Sequence, residues 1–342
     1  MTKIVFGPQI PAVGRFASVD AIKMVANDAE SLGFGAIFMR DHVERDMHQH
    51  LHHTSTGFTE NGQEPGDPNV YECFTTMGLL AAITTDVEIG VMIFLVPQRN
   101  PIVAAKQIAT LDALSNGRLI VGIGVGNVDH RKEMEMLGVN YKVRGAMADE
   151  YIRAMKEIWT KPVASFKGKY VNFKDATQYP KPVRKPHPPL MIGGGYHLQP
   201  RVLQRVAELG DGWVPMAPPG HFKEGSAAIR TMAEEHGRKG KEFIFMAYTM
   251  TSIAPTRAEA ERRYTAALES QSVFQKRQDS SQIEAKAFRE RALVGSPDDV
   301  IKRIQEYVDA GVTYFEVPFM TSTLEELRDR MKLFGKEVMP SF

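Results

Sequence analysis

The chain has 342 residues, 43% of them hydrophobic and 24% charged, with 42 Lys and Arg against 41 Asp and Glu. That length suits one α/β barrel with insertions, and a formal net charge of +1 gives no electrostatic footing for nucleic acid or an anionic membrane. Cys73 is the single cysteine, which excludes a disulfide within the chain; the most apolar stretch, 89–96, is too short to span a bilayer, and no signal-like run opens the sequence, so a cytoplasmic protein is expected.

Residues 3–6 read as a first strand and 18–32 as the helix behind it, with Ser18 placed to cap that helix. A second strand over 36–39 ends at Arg40-Asp41-His42, and a polar stretch, 42–69, follows without apolar periodicity. Loops of that length inside a compact domain tend to be functional. The third strand is expected over 87–94, its helix over 103–114, and the fourth strand over 118–123 before a glycine-rich turn and a helix at 146–159. The rhythm then breaks: 166–170 reads as a small hairpin, and 179–189 holds five prolines in an extended linker. A fifth strand over 189–192 runs into Gly193-Gly194-Gly195, and 212–214 and 243–250 supply the sixth and seventh. After a polar, helix-prone insertion at 257–291 come a helix at 300–310, an eighth strand at 313–317 and a closing helix at 324–338.

Four times a helix-like stretch meets a glycine and then a short apolar run, at Gly33, Gly117, Gly210 and Gly311. Glycine after a helix adopts the left-handed conformation at little cost, and an apolar run just beyond it reads as a strand buried on both faces. Eight strand candidates alternating with helices favour a (β/α)8 TIM barrel over an open sheet, with residues 1–342 as a single domain and insertions at about 42–72, 160–188 and 257–291.

Parallel α/β folds place their chemistry at the carboxyl ends of the strands. Gly122-Ile123-Gly124-Val125-Gly126-Asn127 follows a strand but is not a dinucleotide fingerprint, because Asp129 stands where the third glycine belongs. It offers either a backbone that a flat ligand can approach or simply a tight turn. Gly193, Gly194 and Gly195 directly after a buried strand leave N–H groups unshielded, a setting for a phosphate. Asp41-His42 can be an acid–base histidine oriented by a carboxylate, or a capping Asp beside a packed histidine. His48, His50, His52 and His53 alternate in one loop without the spacing of a helical or Cys/His zinc site, so a solvated loop and no metal are expected there. The 18 methionines fall mostly on apolar faces and read as core filler.

Taken together, four stretches resemble the bacterial luciferase-like family of flavin-dependent monooxygenases and coenzyme F420-dependent oxidoreductases. They are Ala29-Glu30-Ser31-Leu32-Gly33-Phe34 leading to Asp41-His42; Arg99-Asn100-Pro101 through Thr110-Leu111-Asp112-Ala113-Leu114-Ser115-Asn116-Gly117-Arg118 to Gly126; Glu133-Met134-Glu135-Met136-Leu137-Gly138 with Arg144 and Asp149-Glu150; and Pro188-Pro189-Leu190-Met191-Ile192-Gly193-Gly194-Gly195 with Asp211-Gly212-Trp213. The likeness resumes at Val294-Gly295-Ser296-Pro297-Asp298. It implies a barrel, dimeric or larger, with a flavin-type ring against Met92 and Ile93, often at a non-prolyl cis peptide, Asn127 at the turn after strand four, and the cofactor phosphate by Gly193, Gly194 and Gly195. The Asp-His pair resembles the deazaflavin branch, which points to F420 and hydride transfer to a small organic substrate, with His42 as proton donor or acceptor and Asp41 orienting it. Asn127 stands where sugar-phosphate dehydrogenases of that branch have Glu, which argues against that substrate class. The alternatives are an FMN-dependent monooxygenase using dioxygen and a partner flavin reductase, and a non-catalytic flavin-binding protein.

Overall fold

The computed structural model describes residues 3–14, 16–43, 69–270 and 288–342; the expected histidine-rich loop lies outside them. Eight parallel strands form the barrel: β1 (Val5–Gly7), β2 (Ala36–Met39), β3 (Glu88–Leu95), β4 (Leu119–Gly124), β5 (Leu190–Gly194), β6 (Gly212–Pro215), β7 (Ile244–Tyr248) and β8 (Tyr314–Glu316). They are hydrogen-bonded in chain order from β2 round to β8 and on to β1. The last seam closes by single bonds, Gly35 N–H to the Phe6 carbonyl (3.0 Å), Phe38 N–H to Pro8 (3.0 Å) and Ile10 N–H to Phe38 (2.7 Å). The expected TIM barrel is the observed one.

Alternation along each strand sorts side chains into two layers. Val5, Ala36, Phe38, Met92, Ile120, Met191, Val214 and Met246 fill the barrel interior. Ile37, Val91, Val121, Ile192, Phe245 and Phe315 face outward, into the core shared with the helices. The interior is crowded. A Cβ on Gly7 or Gly90 would lie 2.5 or 2.4 Å from the Phe38 ring, and one on Gly122 or Gly212 would lie 2.6 or 2.4 Å from a methionine sulfur. Glycine in these strands is the space that Phe38, Met92 and Met191 occupy.

The expected helices form with their caps. Ser18 accepts from Ala21 N–H (3.1 Å), and Pro101–Leu114 starts at an Asn100 cap, two residues before the expected start. The hairpin is Ala164–Lys167 against Asn172–Ala176, a few residues longer on each side than read. Three of the four junction glycines are left-handed, Gly33, Gly117 and Gly311. Gly210 is not: its φ is −89°, and it is needed because a Cβ would meet Ile192 at 2.8 Å. The helix Cys73–Ile83 was not anticipated; it is apolar on all sides and shows no stripe.

Candidate active site

The carboxyl end of β2 delivers Arg40, Asp41 and His42 to the barrel mouth, and the adjacent end of β3 delivers Met92 and Ile93, joined by a cis peptide. Asp41 is 2% exposed, and its carboxylate is fully engaged. Arg99 donates to both oxygens at 2.7 Å, Leu95 N–H donates at 3.1 Å, and Cys73 Sγ lies 3.1 Å away. Asp41 therefore clips the end of β2 to the end of β3 and to the start of Pro101–Leu114.

The carboxylate facing His42 is that of Glu133, from the short helix Arg131–Met136 after β4. Its Oε2 lies 3.9 Å from His42 Nδ1, with both side chains buried, and its Oε1 accepts from Val43 N–H. Burial by itself would raise the Glu133 carboxyl, but the nearby His42 imidazole, the hydrogen bond from Val43 N–H and the neighbouring Gln98 amide carry it down to about 2. Glu133 is thus a buried anion next to the His42 imidazole, whereas the Asp41 carboxylate faces Arg99.

A second imidazole completes the cluster. The His130 ring is nearly parallel to that of His42 (4° between planes, centroids 5.7 Å apart), and Asn127 Oδ1 lies 2.6 Å from His130 Nδ1. Burial, followed by the neighbouring charge of His42, lowers the His130 pKa. Gly126, at φ +73°, turns the chain out of β4 ahead of Asn127, and His130 lies against His42 at the end of β2. His130 and Glu133 were not singled out as site residues. Glu133 is 91 positions from His42 in sequence, and only closure of β2, β3 and β4 makes them neighbours.

Gly193 and Gly194 belong to β5 itself rather than to a turn. A Cβ on Gly193 would sit 2.2 Å from Ile93, one on Gly194 would sit 2.9 Å from Trp213 Nε1, and one on Gly195 would meet nothing within 4 Å. Gly124 likewise makes room for Ile93. Ile93 is thus seated in a glycine notch, and Gly195 is the residue whose backbone stays open. The helix Pro200–Leu209 begins just beyond, and its cap residue, Gln199, makes no side-chain cap bond. A flat ring on the Met92–Ile93 ledge with an anionic tail toward Gly195 suits these features.

Among the described residues, the one cluster of potential metal ligands is Asp41, Glu72 and Cys73. Arg99 already supplies its positive charge, at 2.7 Å from Asp41 and 3.0 Å from Glu72, while burial and then Asp41 push the Cys73 thiol well up. No described helix is long and apolar enough to cross a membrane.

The chain belongs to the family of luciferase-like monooxygenases, which it matches over residues 4–314. It is 27% identical over 339 residues to an F420-dependent glucose-6-phosphate dehydrogenase of Amycolatopsis mediterranei, covering 90% of this chain and 93% of that one. An uncharacterised protein of Mycobacterium tuberculosis is 32% identical over 189 residues; the match covers 54% of this chain and 64% of that relative's length. The solved structure of the monooxygenase RslO1 from Streptomyces bottropensis superposes with a TM-score of 0.76 at 22% identity over 99% of both chains, a likeness that bears on the fold alone.

Proposed function

We propose that residues 1–342 form one luciferase-like domain, a cytoplasmic oxidoreductase that binds coenzyme F420 in the barrel mouth and moves a hydride between it and a small organic substrate. The observation that carries this reading is the buried His42–Glu133 pair, stacked on His130 beside the Met92–Ile93 ledge. The deazaflavin supplies a carbon that takes and gives hydride. The chain supplies everything else. Met92 and Ile93 form the ledge, Gly193 and Gly194 admit Ile93, Gly195 leaves backbone open for the phosphate, and Asn127 fixes His130. His42 holds or releases the accompanying proton, Glu133 stabilises its charged form, and Asp41 fixes the strand end that carries it. F420 is favoured by the Asp-His pair and by a relative of that cofactor class aligned over nine-tenths of the chain. Asn127 favours a substrate other than a sugar phosphate.

A second reading is favoured by the family's description as monooxygenases. In it the mouth takes reduced FMN from a partner reductase, and the enzyme consumes dioxygen. One purified sample separates the two. Saturable quenching with F420, weaker FMN binding and turnover without oxygen uptake support the first; tighter FMN binding with substrate-dependent oxygen uptake replaces it with the second. Tight ring binding without any turnover identifies a flavin-binding protein instead.

The protein pairs with a second copy of itself through helices Cys73–Ile83 and Pro101–Leu114. Leu79 and Ile83 on the first of these stay only half-buried, and Val103 and Leu114 are 54% and 63% exposed on the second, which leaves apolar surface for a second copy to cover. Light scattering on wild type and Val103→Glu/Leu114→Glu tests this: a wild-type dimer converted to monomer is expected, and a wild-type monomer refutes it.

A further inference from the structure

Arg40 directly precedes the Asp-His pair, and the proposed chemistry leaves it unused. It spans the mouth. One Nη donates to the Met92 carbonyl, Nη2 lies 2.8 Å from Glu316 Oε1, and the guanidinium sits 4.6 Å from the centre of the Tyr248 ring. One side chain thus ties the ends of β2, β3, β7 and β8.

Glu316 is fully buried, and the contact with Arg40 is an ion pair of poor hydrogen-bond geometry. Neither Glu316 oxygen, nor Arg40 Nε or Nη2, completes a hydrogen bond among the described residues. The other charged or titratable groups around it are Tyr248 on β7 and Arg291, whose guanidinium lies 5.6 Å from the Tyr248 ring. Burial raises the Glu316 carboxyl to about 7 against the opposing charge of Arg40.

We infer that Arg40 is a positioning residue for the ring-bearing ligand: it holds the Met92 side of the ledge and presents a cation whose pull on a bound anion depends on whether Glu316 carries a proton. The inference rests on the proposed function, in which a flavin-type ring lies on that ledge. A ring that accepts a hydride gains one negative charge by conservation unless a proton follows, and a guanidinium fastened to the ledge favours that form. Ionised Glu316 neutralises the guanidinium; protonated Glu316 releases it to the ligand.

The experiment measures anaerobic affinities of oxidised and reduced F420, and of oxidised and reduced FMN, at pH 6, 7 and 8. The wild-type preference for the reduced form rises about tenfold from pH 8 to pH 6, stays high and flat in Glu316→Gln, and is low and flat in Arg40→Met. A preference unchanged in Arg40→Met overturns the inference. A pH slope that survives in Glu316→Gln also overturns it, by assigning the slope to another group. Thermal unfolding of the ligand-free protein is the second readout. A carboxyl raised in the folded state stabilises below its unfolded value and loses that contribution as pH rises through about 7, so wild type loses stability over this range by an amount absent in Glu316→Gln. An identical pH dependence in the two proteins removes Glu316 from the scheme. Failure of the wild type to bind either ring refutes the proposed function, whereas binding with an Arg40-independent preference refutes this inference alone.

Discussion

Replacing Glu133 by glutamine keeps the shape of the side chain and an acceptor for Val43 N–H while removing the charge beside His42. The distance from an ordinary 4.5 to about 2 corresponds to about 3 kcal/mol of preference for the ionised form in the folded state. The group is depressed on folding, so its contribution is complete above pH 4.5 and is lost as pH falls toward 2. Urea unfolding of wild type and Glu133→Gln from pH 7 downward should therefore show the largest gap at neutral pH, constant to about pH 5, then shrinking as acid protonates the wild-type carboxyl. Turnover should fall further than stability, because a proton-transferring imidazole without its anionic partner loses a share of the roughly hundredfold or greater contribution of general acid–base catalysis. Two stability curves that run parallel from pH 7 into the acid transition would show that Glu133 is not held as an anion by folding, and the assignment of the pair would fail with them.

His42→Ala is expected to lower turnover about a hundredfold while changing stability far less, and wild-type turnover across pH 5 to 9 would reduce His42 to packing. Gly195→Val, where a Cβ meets nothing within 4 Å, should weaken cofactor binding without lowering Tm, whereas Gly194→Val should lower Tm because its Cβ arrives 2.9 Å from the Trp213 indole nitrogen. Equal cofactor affinity in Gly195→Val and wild type would exclude a phosphate there. Gly90→Ala should cost about 1–3 kcal/mol in urea unfolding by pressing on Phe38, and an unchanged midpoint would mean that the barrel interior relaxes around it.

The architecture was readable because apolar runs bounded by helices and glycines recur along the chain, and β2, β4 and β8 fall within about two residues of where they were expected. The helix Cys73–Ile83 was not readable, since periodicity marks a helix only when one face is wet, and this one is apolar all round. Gly210 misled for a related reason. A glycine after a helix was read as a conformational need, but at Gly210 the need is for room beside Ile192 and Val206. Asp41 and His42 were visible as a pair in sequence, yet adjacent residues on an extended chain point to opposite sides. Asp41 turns to Arg99 and Cys73, and His42 to Glu133 and His130. Side chains that meet only when strands close cannot be paired by local spacing.

The barrel divides its work between its halves. Arg40, Asp41, His42, Arg99, Asn127, His130 and Glu133 all precede the hairpin that opens at Ala164, while Gly193, Gly194, Gly195 and Glu316 all follow it. The titratable cluster therefore comes with β1 to β4, and Gly195 and the partner of Arg40 come with β5 to β8. The two halves meet along the β4–β5 and β8–β1 seams, and the Arg40–Glu316 pair crosses between them. A chain severed between residues 177 and 189 would yield one fragment rich in acid–base groups and another with the cradle, neither competent alone. Recovered turnover on mixing them would report the docking of two half-barrels, making catalysis a gauge of assembly.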